Sequence, residues 1–471
     1  MNQNFTYGLV LGIVVAALIS VTVVKMLGVK TRDDFMVAGR KLPWTVLVFT
    51  LLSSWIGAGS LFAGAENAYK NGFTALWLPA GGWIGLAVIA GIAGRARSFA
   101  QFTIPDLLET RYNATARVMA TIAIVIAYMV ITSYQFKAGG DVLHLIFPDL
   151  QKTTGMYIIA GFVIVFTAAA GMASIAYLDV IIGGLVTVIV AIAVPMLLTK
   201  AGGFEGLHAA LPESHFTVFG EGGAARAFGT LLPTMLLLIG NQGMYQKFFS
   251  ARSERDAKIA VGGWIVGTVM LETLLVMLAV IGSSLYKTDS PREIIPLTAR
   301  QGLPAVFGAL LMGGIFAKVI STANNYLFSP ATNLVHDVYE RFINPQATQK
   351  QSLLMSRGLV VALGVLALLL AAQFNSVLNA ALYAYTIYGS AVTPAVMAVF
   401  FWNRTTTAGA VSSIVAGTAV TAGWNIAQVM KWTTSDLDAV YPAVIASVVL
   451  LIGVSLATPP PSAEKLKPFM A

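Results

Sequence analysis

"LLSSWIGAGSLFAGAENAY" (51–69) lies within an apolar stretch, yet it crowds Ser53, Ser54, Gly57, Gly59, Ser60 and Gly64 into its middle. Glycine and small polar residues weaken a helix. In lipid, a backbone released from its helix is tolerated only where protein or a cavity surrounds it. A second stretch repeats the pattern: "LLLIGNQGMYQKFFSAR" (236–252) places Gly240, Asn241, Gln242 and Gly243 in an apolar run. Glycine-mediated helix packing would explain one such stretch. Two at matching positions point instead to a pair of broken helices around a site at mid-membrane.

The surrounding chain supports that setting. Hydrophobic residues make up 57% of the 471 and charged residues 11%, against roughly 25% charged in a soluble domain. Apolar stretches long enough to span, at about 20 residues each, run over 5–27, 43–66, 72–98, 114–146, 154–171, 174–199, 226–250, 258–286, 303–330, 352–372, 376–402, 408–430 and 440–458. The expected fold is an all-α polytopic membrane protein of about 13 transmembrane helices. The interrupted spans are five apart, so residues 43–199 and 226–402 read as two halves of five helices. An odd repeat length gives the halves opposite orientations in the membrane. Residues 1–42 supply an N-terminal extra helix and loop, 200–225 an extracellular loop, and 403–471 two C-terminal helices and a tail.

The net charge of +8 is topological and no sign of nucleic acid. With the N-terminus outside and the C-terminus cytoplasmic, most of the 29 Lys and Arg fall on the inner side, as the positive-inside rule expects. The first stretch is too long for a signal-peptide core and reads as a retained helix. Zero cysteines exclude disulfides, thiol catalysis and cysteine-bound metal. Two lysines, Lys137 and Lys318, fall inside spans away from their ends. Lys318, in "GGIFAKVISTANNYLF" (313–328), lies roughly 18–22 Å from either surface, too deep for its stem to reach water.

Five segments resemble the sodium:solute symporter family, whose members share the LeuT-type 5+5 inverted repeat. "DDFMVAGRKL" (33–42) is similar to its first cytoplasmic loop, and "TIPDLLETRY" (103–112) to the loop after the next helix pair. "NQGMYQKFFSARSERDA" (241–257) resembles its Asn-Gln-x-x-x-Gln-Arg stretch. "AKVISTANNYL" (317–327) resembles the Ser-Thr segment of core helix eight, and "VTPAVMAVFFWNRTTTAGAVSSIVAG" (392–417) the end of core helix ten. Each is weak alone. Their order and spacing over nearly the whole chain are specific.

The resemblance implies a sodium ion between broken core helix one and core helix eight. The carbonyls of Ser53, Ile56 and Lys318 and the hydroxyls of Ser321 and Thr322 would hold it. A second cation position would involve Asp179, in "SIAYLDVIIGG" (174–184), with Asn324 and Asn325. The lysine at 318 departs from the family, which usually has a small residue there. Three readings of Lys318 stand side by side: a structural pairing with Asp179 that replaces an ion, a titratable switch that makes the carrier proton-coupled or sodium-independent, or a side chain directed elsewhere. The substrate site is expected between the broken helices, at Ser54, Trp55, Ser60, Asn241 and Gln242, with Tyr134, Gln135 and Lys137 on core helix three and Tyr385 and Tyr388 on core helix ten. Asn241 aligns with a solute-contacting asparagine of sugar-carrying members, and Trp55 reads equally as packing. Glu272, in "VMLETLLVM" (269–277), is either a substrate contact or a structural partner for Lys137. No carboxylate falls near Pro79, where sugar carriers have a glutamate. That argues against sugar.

Other classes lack their signatures. No G-x-x-x-x-G-K-[ST] loop or H-E-x-x-H motif occurs. The four histidines, 144, 208, 215 and 336, fall in loops or at helix ends, and His208 and His215 share an external loop with Glu205, Glu213 and Glu221. No repeated filter suggests a channel. A solute sensor on a transporter scaffold is the alternative, although no output domain follows residue 460. The expectation is a secondary active transporter in a bacterial-type inner or plasma membrane, not an enzyme. It would couple sodium (or protons) to import of a small polar solute such as an amino acid, a urea-like compound or an organic acid, with no other cofactor.

Overall fold

The computed structural model describes residues 3–26, 32–98, 103–170 and 172–469. The connections at 27–31 and 99–102, and span ends drawn at 27 and 171, lie outside them. Among the described residues, twelve helices are long and apolar enough to cross a membrane. The count falls one short of the sequence reading because the first broken span enters as a short apolar helix, Trp44–Trp55, and its second half is joined to the next span in Gly59–Ala90. That 32-residue run is interrupted at Gly72, whose φ of 60° and ψ of −138° end the helix Gly64–Asn71. A residue with a Cβ is strained at that φ. Among the described residues the only β pairing is a bridge between Leu42 and Ala251. It ties the loop before the first broken span to the end of the second.

Burial separates core from periphery. The apolar windows of Ala305–Ile343 and Val377–Phe401 are 78% and 89% buried, whereas those of Gln3–Val24, Thr407–Val429 and Val440–Ala457 are 22–28% buried. The outer helices turn Val23, Val24, Val429 and Ile445 outward, as lipid-facing surfaces do. The Lys318 helix, Ala305–Asn333, continues as π-helical turns over Leu334–Ile343, well past the boundary read at Pro330. It packs against the helices Gln3–Met26, Ala114–Ile146, Lys152–Ala170 and Met172–Lys200.

Both breaks lie where the small residues place them. The helix Trp44–Trp55 ends at Ile56, which is extended at φ −86° and ψ 98°, and helical turns resume at Gly59–Ala63. The helix Gly223–Ile239 stops before Gly240. Asn241, extended at φ −66° and ψ 110°, then caps Gln242–Ser250. A third interruption divides Val377–Ala391 from Thr393–Phe401. There Pro394 lacks an N–H, and Thr393 Oγ1 donates to the Leu236 carbonyl at 2.6 Å.

Ionic clusters close the two ends of the bundle. They are anchored at Asp141 and Arg117, which lie about 36 Å apart along one helix. At the end carrying Gln3, Arg292 bridges to Asp141 at 2.7 Å and Lys152 pairs with Glu293. At the opposite end, Arg117 meets Asp337 at 2.8 Å, Asp106 at 3.2 Å and also Glu109. Arg341 adds a contact to Glu109 at 2.8 Å. Burial alone would raise the Glu109 carboxyl, but hydrogen bonds from Arg341 and Arg117 outweigh it and hold the group below its ordinary 4.5. The contribution is therefore complete above about pH 4.5 and fades as pH falls through the lowered value.

Asp337→Ala is expected to destabilise the fold by about 2–3 kcal/mol. That is less than the about 3–5 kcal/mol of a fully stranded buried charge, because Asp106 and Glu109 still face Arg117. Thermal unfolding in detergent reads this directly. An acid titration of the same midpoint should show Arg341→Ala less stable than wild type above about pH 4.5 and losing less on acidification, because its Glu109 is held less far below the ordinary value. Coincident acid limbs would contradict the assignment of Glu109.

Candidate functional site: two linked sites at the helix breaks

The first site forms where the Trp44–Trp55 helix ends. Asp179 is fully buried and accepts hydrogen bonds from Thr50 Oγ1 at 2.5 Å, from Ser54 Oγ at 3.5 Å and from Ser321 Oγ. Ser53 Oγ donates to the Asp179 carbonyl at 3.0 Å and accepts from Lys318 Nζ at 2.8 Å. Thr322 Oγ1 donates to the Ser53 carbonyl at 3.3 Å. Ser53, Ser54, Asp179, Lys318, Ser321 and Thr322 thus converge, and Ile56 lies in the adjoining extended link. Among the described residues Lys318 and Asp179 make no direct ion pair within 4.0 Å; Ser53 stands between them.

A second buried ammonium joins this cluster. Lys247, fully buried, donates to Asn325 Oδ1 at 2.6 Å, and Asn325 Nδ2 donates to the Ser321 carbonyl at 2.9 Å. Sequence reasoning missed it because the residue sits near the end of an apolar run, where a lysine ordinarily reaches water. The family-like stretch 241–257, with a basic position at 247, was the available signal. Asn324 looks away, accepting from Thr167 Oγ1 at 2.7 Å.

The second site is a narrow cavity of about 30 Å³ beside the first break. Its wall includes Trp55, Ser60, Tyr134, Gln135, Glu272 and Tyr385, all expected from the sequence, together with Tyr326 and Thr322. Thr322 therefore touches both sites. A water needs about 10–15 Å³ by this measure, so the cavity admits a few waters and no organic solute without opening. Glu272 organises one side. Trp55 Nε1 and Ser60 Oγ donate to its Oε1 at 3.0 and 3.1 Å, and Trp83 Nε1 donates to Oε2 at 3.0 Å. Gln135 Oε1 accepts from the backbone N–H of Ala58 at 2.9 Å, just past the break. The hydroxyls of Tyr134 and Tyr385 lie 3.2 Å apart.

Five of the expected solute-site residues have other placements. Ser54 faces Asp179 in the first site and does not line the cavity. Lys137 donates to the Phe374 carbonyl, outside the cavity. It forms no pair with Glu272, because the two side chains leave their helices in different directions. Tyr388 bridges the second break, donating to the Gly240 carbonyl at 2.6 Å and accepting from the Gln242 N–H at 2.8 Å. Asn241 accepts from Tyr128 at 2.9 Å and donates to Tyr326 at 3.3 Å. Gln242 Oε1 accepts from the Ile104 N–H at 2.5 Å. These last three side chains satisfy the backbone and side chains around the break and do not line the cavity.

Gly57 sets the approach of the two helices at the Ser53–Thr322 contact. A Cβ there would lie 2.4 Å from Thr322 Oγ1 and 2.6 Å from Thr322 Cβ. Gly57→Ala is therefore expected to push Thr322 off the Ser53 carbonyl and cost about 1–3 kcal/mol of stability, as overpacking does. Its uptake should fall further than in a variant of equal thermal midpoint that is altered far from the break. Lys137→Gln, in contrast, should leave the apparent solute affinity unchanged in an uptake assay, and a large change would bring Lys137 back into the solute site.

Comparison with known proteins gives one consistent answer. Residues 35–417 match the sodium:solute symporter family. The osmoregulated proline transporter of Bacillus subtilis is 23% identical over 461 residues, covering 93% of each chain. The high-affinity proline transporter of the same organism is 25% identical, covering 91% of this chain and 93% of its own. A sodium/proline symporter of Staphylococcus aureus is 23% identical, with 92% and 88% covered. Among solved structures, a Na+-coupled sialic acid symporter in a substrate-bound outward-open state superposes with a TM-score of 0.80 at 18% identity, covering 98% of this chain and 99% of that one. A nucleobase-cation-symport-1 family transporter in a closed conformation gives 0.58 at 12% identity, covering 93% and 99%. The helix order, the paired breaks and these likenesses agree on the LeuT-type fold, and the chain belongs to the sodium:solute symporter family.

Proposed function

We propose that this chain is a secondary active symporter that moves a small polar organic solute through the cavity at the helix breaks by alternating access. The observation that carries it is a pair of interrupted helices with a narrow cavity beside the first break, and ionic clusters toward both ends of the bundle. Clusters around Asp141 and Arg292 on one side, and Arg117 and Asp337 on the other, would open in turn. Opening one at a time keeps a continuous water path from forming. The distribution of Lys and Arg supports an orientation with the Gln3 end outside and the tail in the cytoplasm, in a plasma or bacterial-type inner membrane. The proline carriers among its relatives make L-proline a natural first solute to try.

Sodium is the coupling ion the family suggests. The donor set beside Ser53 favours a second reading, because Lys318 Nζ holds Ser53 Oγ at 2.8 Å. Two unit charges 4 Å apart repel by about 4 kcal/mol at an effective dielectric of 20, roughly a thousandfold in affinity. An ammonium and a sodium ion would therefore compete for one place next to Asp179. In this reading the Lys318 ammonium stands in the cation's position, and proton exchange at the lysine supplies the coupling.

Uptake into proteoliposomes, driven in turn by imposed sodium and proton gradients, tests both statements. The expected result is proton-driven uptake by wild type and a newly acquired sodium requirement in Lys318→Ala. Sodium-driven uptake that Lys318→Ala leaves unchanged would return the site to ordinary sodium coupling. Absence of gradient-driven uptake across amino acids, urea, polyamines and organic acids would contradict the symporter assignment.

A further inference from the structure

The cavity contains one charged group that neither helix breaking nor ion coupling explains. Glu272 lies 18 residues into Glu254–Leu285, about 20 Å or more from either end of that helix. It is 4% exposed. A carboxylate in such a place needs a cation or a full set of hydrogen bonds. Its three partners, Trp55, Ser60 and Trp83, are all neutral donors. Among the described residues no lysine or arginine pairs with it within 4.0 Å, and none lines the cavity. Lys137 is engaged by the Phe374 carbonyl and Lys318 by Ser53.

The rest of the wall has a matching character. Trp55, Tyr134, Tyr326 and Tyr385, all aromatic, line the same space. Aromatic faces attract cations and repel anions, and they accept a methylated or ring-bound nitrogen that cannot donate several hydrogen bonds. An acid framed by four aromatic rings therefore suits a positively charged nitrogen. It disfavours a solute whose only charge is negative.

We propose that Glu272 is the specificity-determining residue of the cavity and pairs with a cationic nitrogen of the solute, an amine or quaternary ammonium, free or in a zwitterion, packed among Trp55, Tyr134, Tyr326 and Tyr385. This rests on the reading of the cavity as the solute site. The indole N–H groups of Trp55 and Trp83 hold the carboxylate's oxygens in place, so arrival of the solute changes the surroundings of two tryptophans.

Tryptophan fluorescence of the purified full-length protein reads binding without any gradient. The ammonium-bearing probes are L-proline, glycine betaine and choline. Tetrahydrofuran-2-carboxylate, which replaces proline's nitrogen by oxygen, and acetate test anions, and urea tests neutral solutes. The expected result is saturable binding of at least one ammonium probe, no binding of the anions or urea, and affinity at least about tenfold weaker in Glu272→Gln. Because the glutamine amide would oppose the Trp83 N–H, the double variant Glu272→Gln, Trp83→Phe removes that clash and should show the same loss. Binding of no ammonium probe, equal binding in Glu272→Gln, or saturable binding of tetrahydrofuran-2-carboxylate or urea would overturn the inference. Uptake in proteoliposomes separates it from the symporter reading. Ammonium binding that Glu272→Gln abolishes, with no gradient-driven uptake, removes transport and keeps the ammonium site. Driven uptake of urea or acetate, unchanged in Glu272→Gln, does the reverse.

Discussion

A bilayer core offers no water to an exposed peptide group, so the backbone freed at each break must find its partners within the protein. This constraint arranges most of what lies at the centre of the molecule. The Gly240–Gln242 break is held by the Tyr388 hydroxyl, which serves the carbonyl of one half and the N–H of the other. Asn241 caps the second half and is itself held by Tyr128 and Tyr326. At the Ile56–Ala58 break, Gln135 takes the Ala58 N–H and Thr322 meets the Ser53 carbonyl. The helices that supply these partners, Ala114–Ile146, Ala305–Asn333 and Val377–Ala391, are thereby fixed around the breaks.

Electrostatics follow from the same scarcity of water. Asp179, Lys247 and Lys318 are all fully buried, two ammoniums about one carboxylate. Hydroxyl and amide groups stand between the charges: Ser53 under Lys318, Asn325 under Lys247, Ser321 and Thr50 on Asp179. Such hydrogen-bonded charges are costly to bury and still more costly to strand. Glu272 lies on the far side of the first break, framed by neutral donors. Glu272 lines the cavity, and the two ammoniums lie on the Asp179 side, held by Ser53 and Asn325. Thr322 touches both compartments. A shift of the Lys318 helix would therefore be felt in each, which is the physical requirement for coupling two sites.

The spans and their two principal breaks were legible because glycine, serine and asparagine in apolar runs conflict with a continuous helix. The convergence of Ser53, Asp179, Ser321 and Thr322 followed from matching those runs to a family pattern. What escaped the sequence was direction. Asn324 and Asn325 are neighbours on one helix, yet about 100° of rotation sends one to Thr167 and the other to Lys247. Lys137 and Glu272 meet different partners, the Phe374 carbonyl for one and Trp55, Ser60 and Trp83 for the other. Lys247 resembled an interfacial lysine because a helix end and a buried turn look alike in hydropathy. The interruption at Val392 was marked only by Pro394, which a kinked helix would equally explain.

In the proposed coupling, the Lys318 ammonium held by Ser53 occupies the position a cation would take. Sodium titration of the thermal midpoint, in purified protein and with potassium as the ionic-strength control, tests it most directly. A ligand at a hundred times its dissociation constant stabilises the folded state by about 2.7 kcal/mol. The account predicts no sodium-specific rise for wild type and a saturable rise for Lys318→Met, where the position is vacated. A saturable sodium-specific rise in wild type that Lys318→Met leaves unaltered would contradict it.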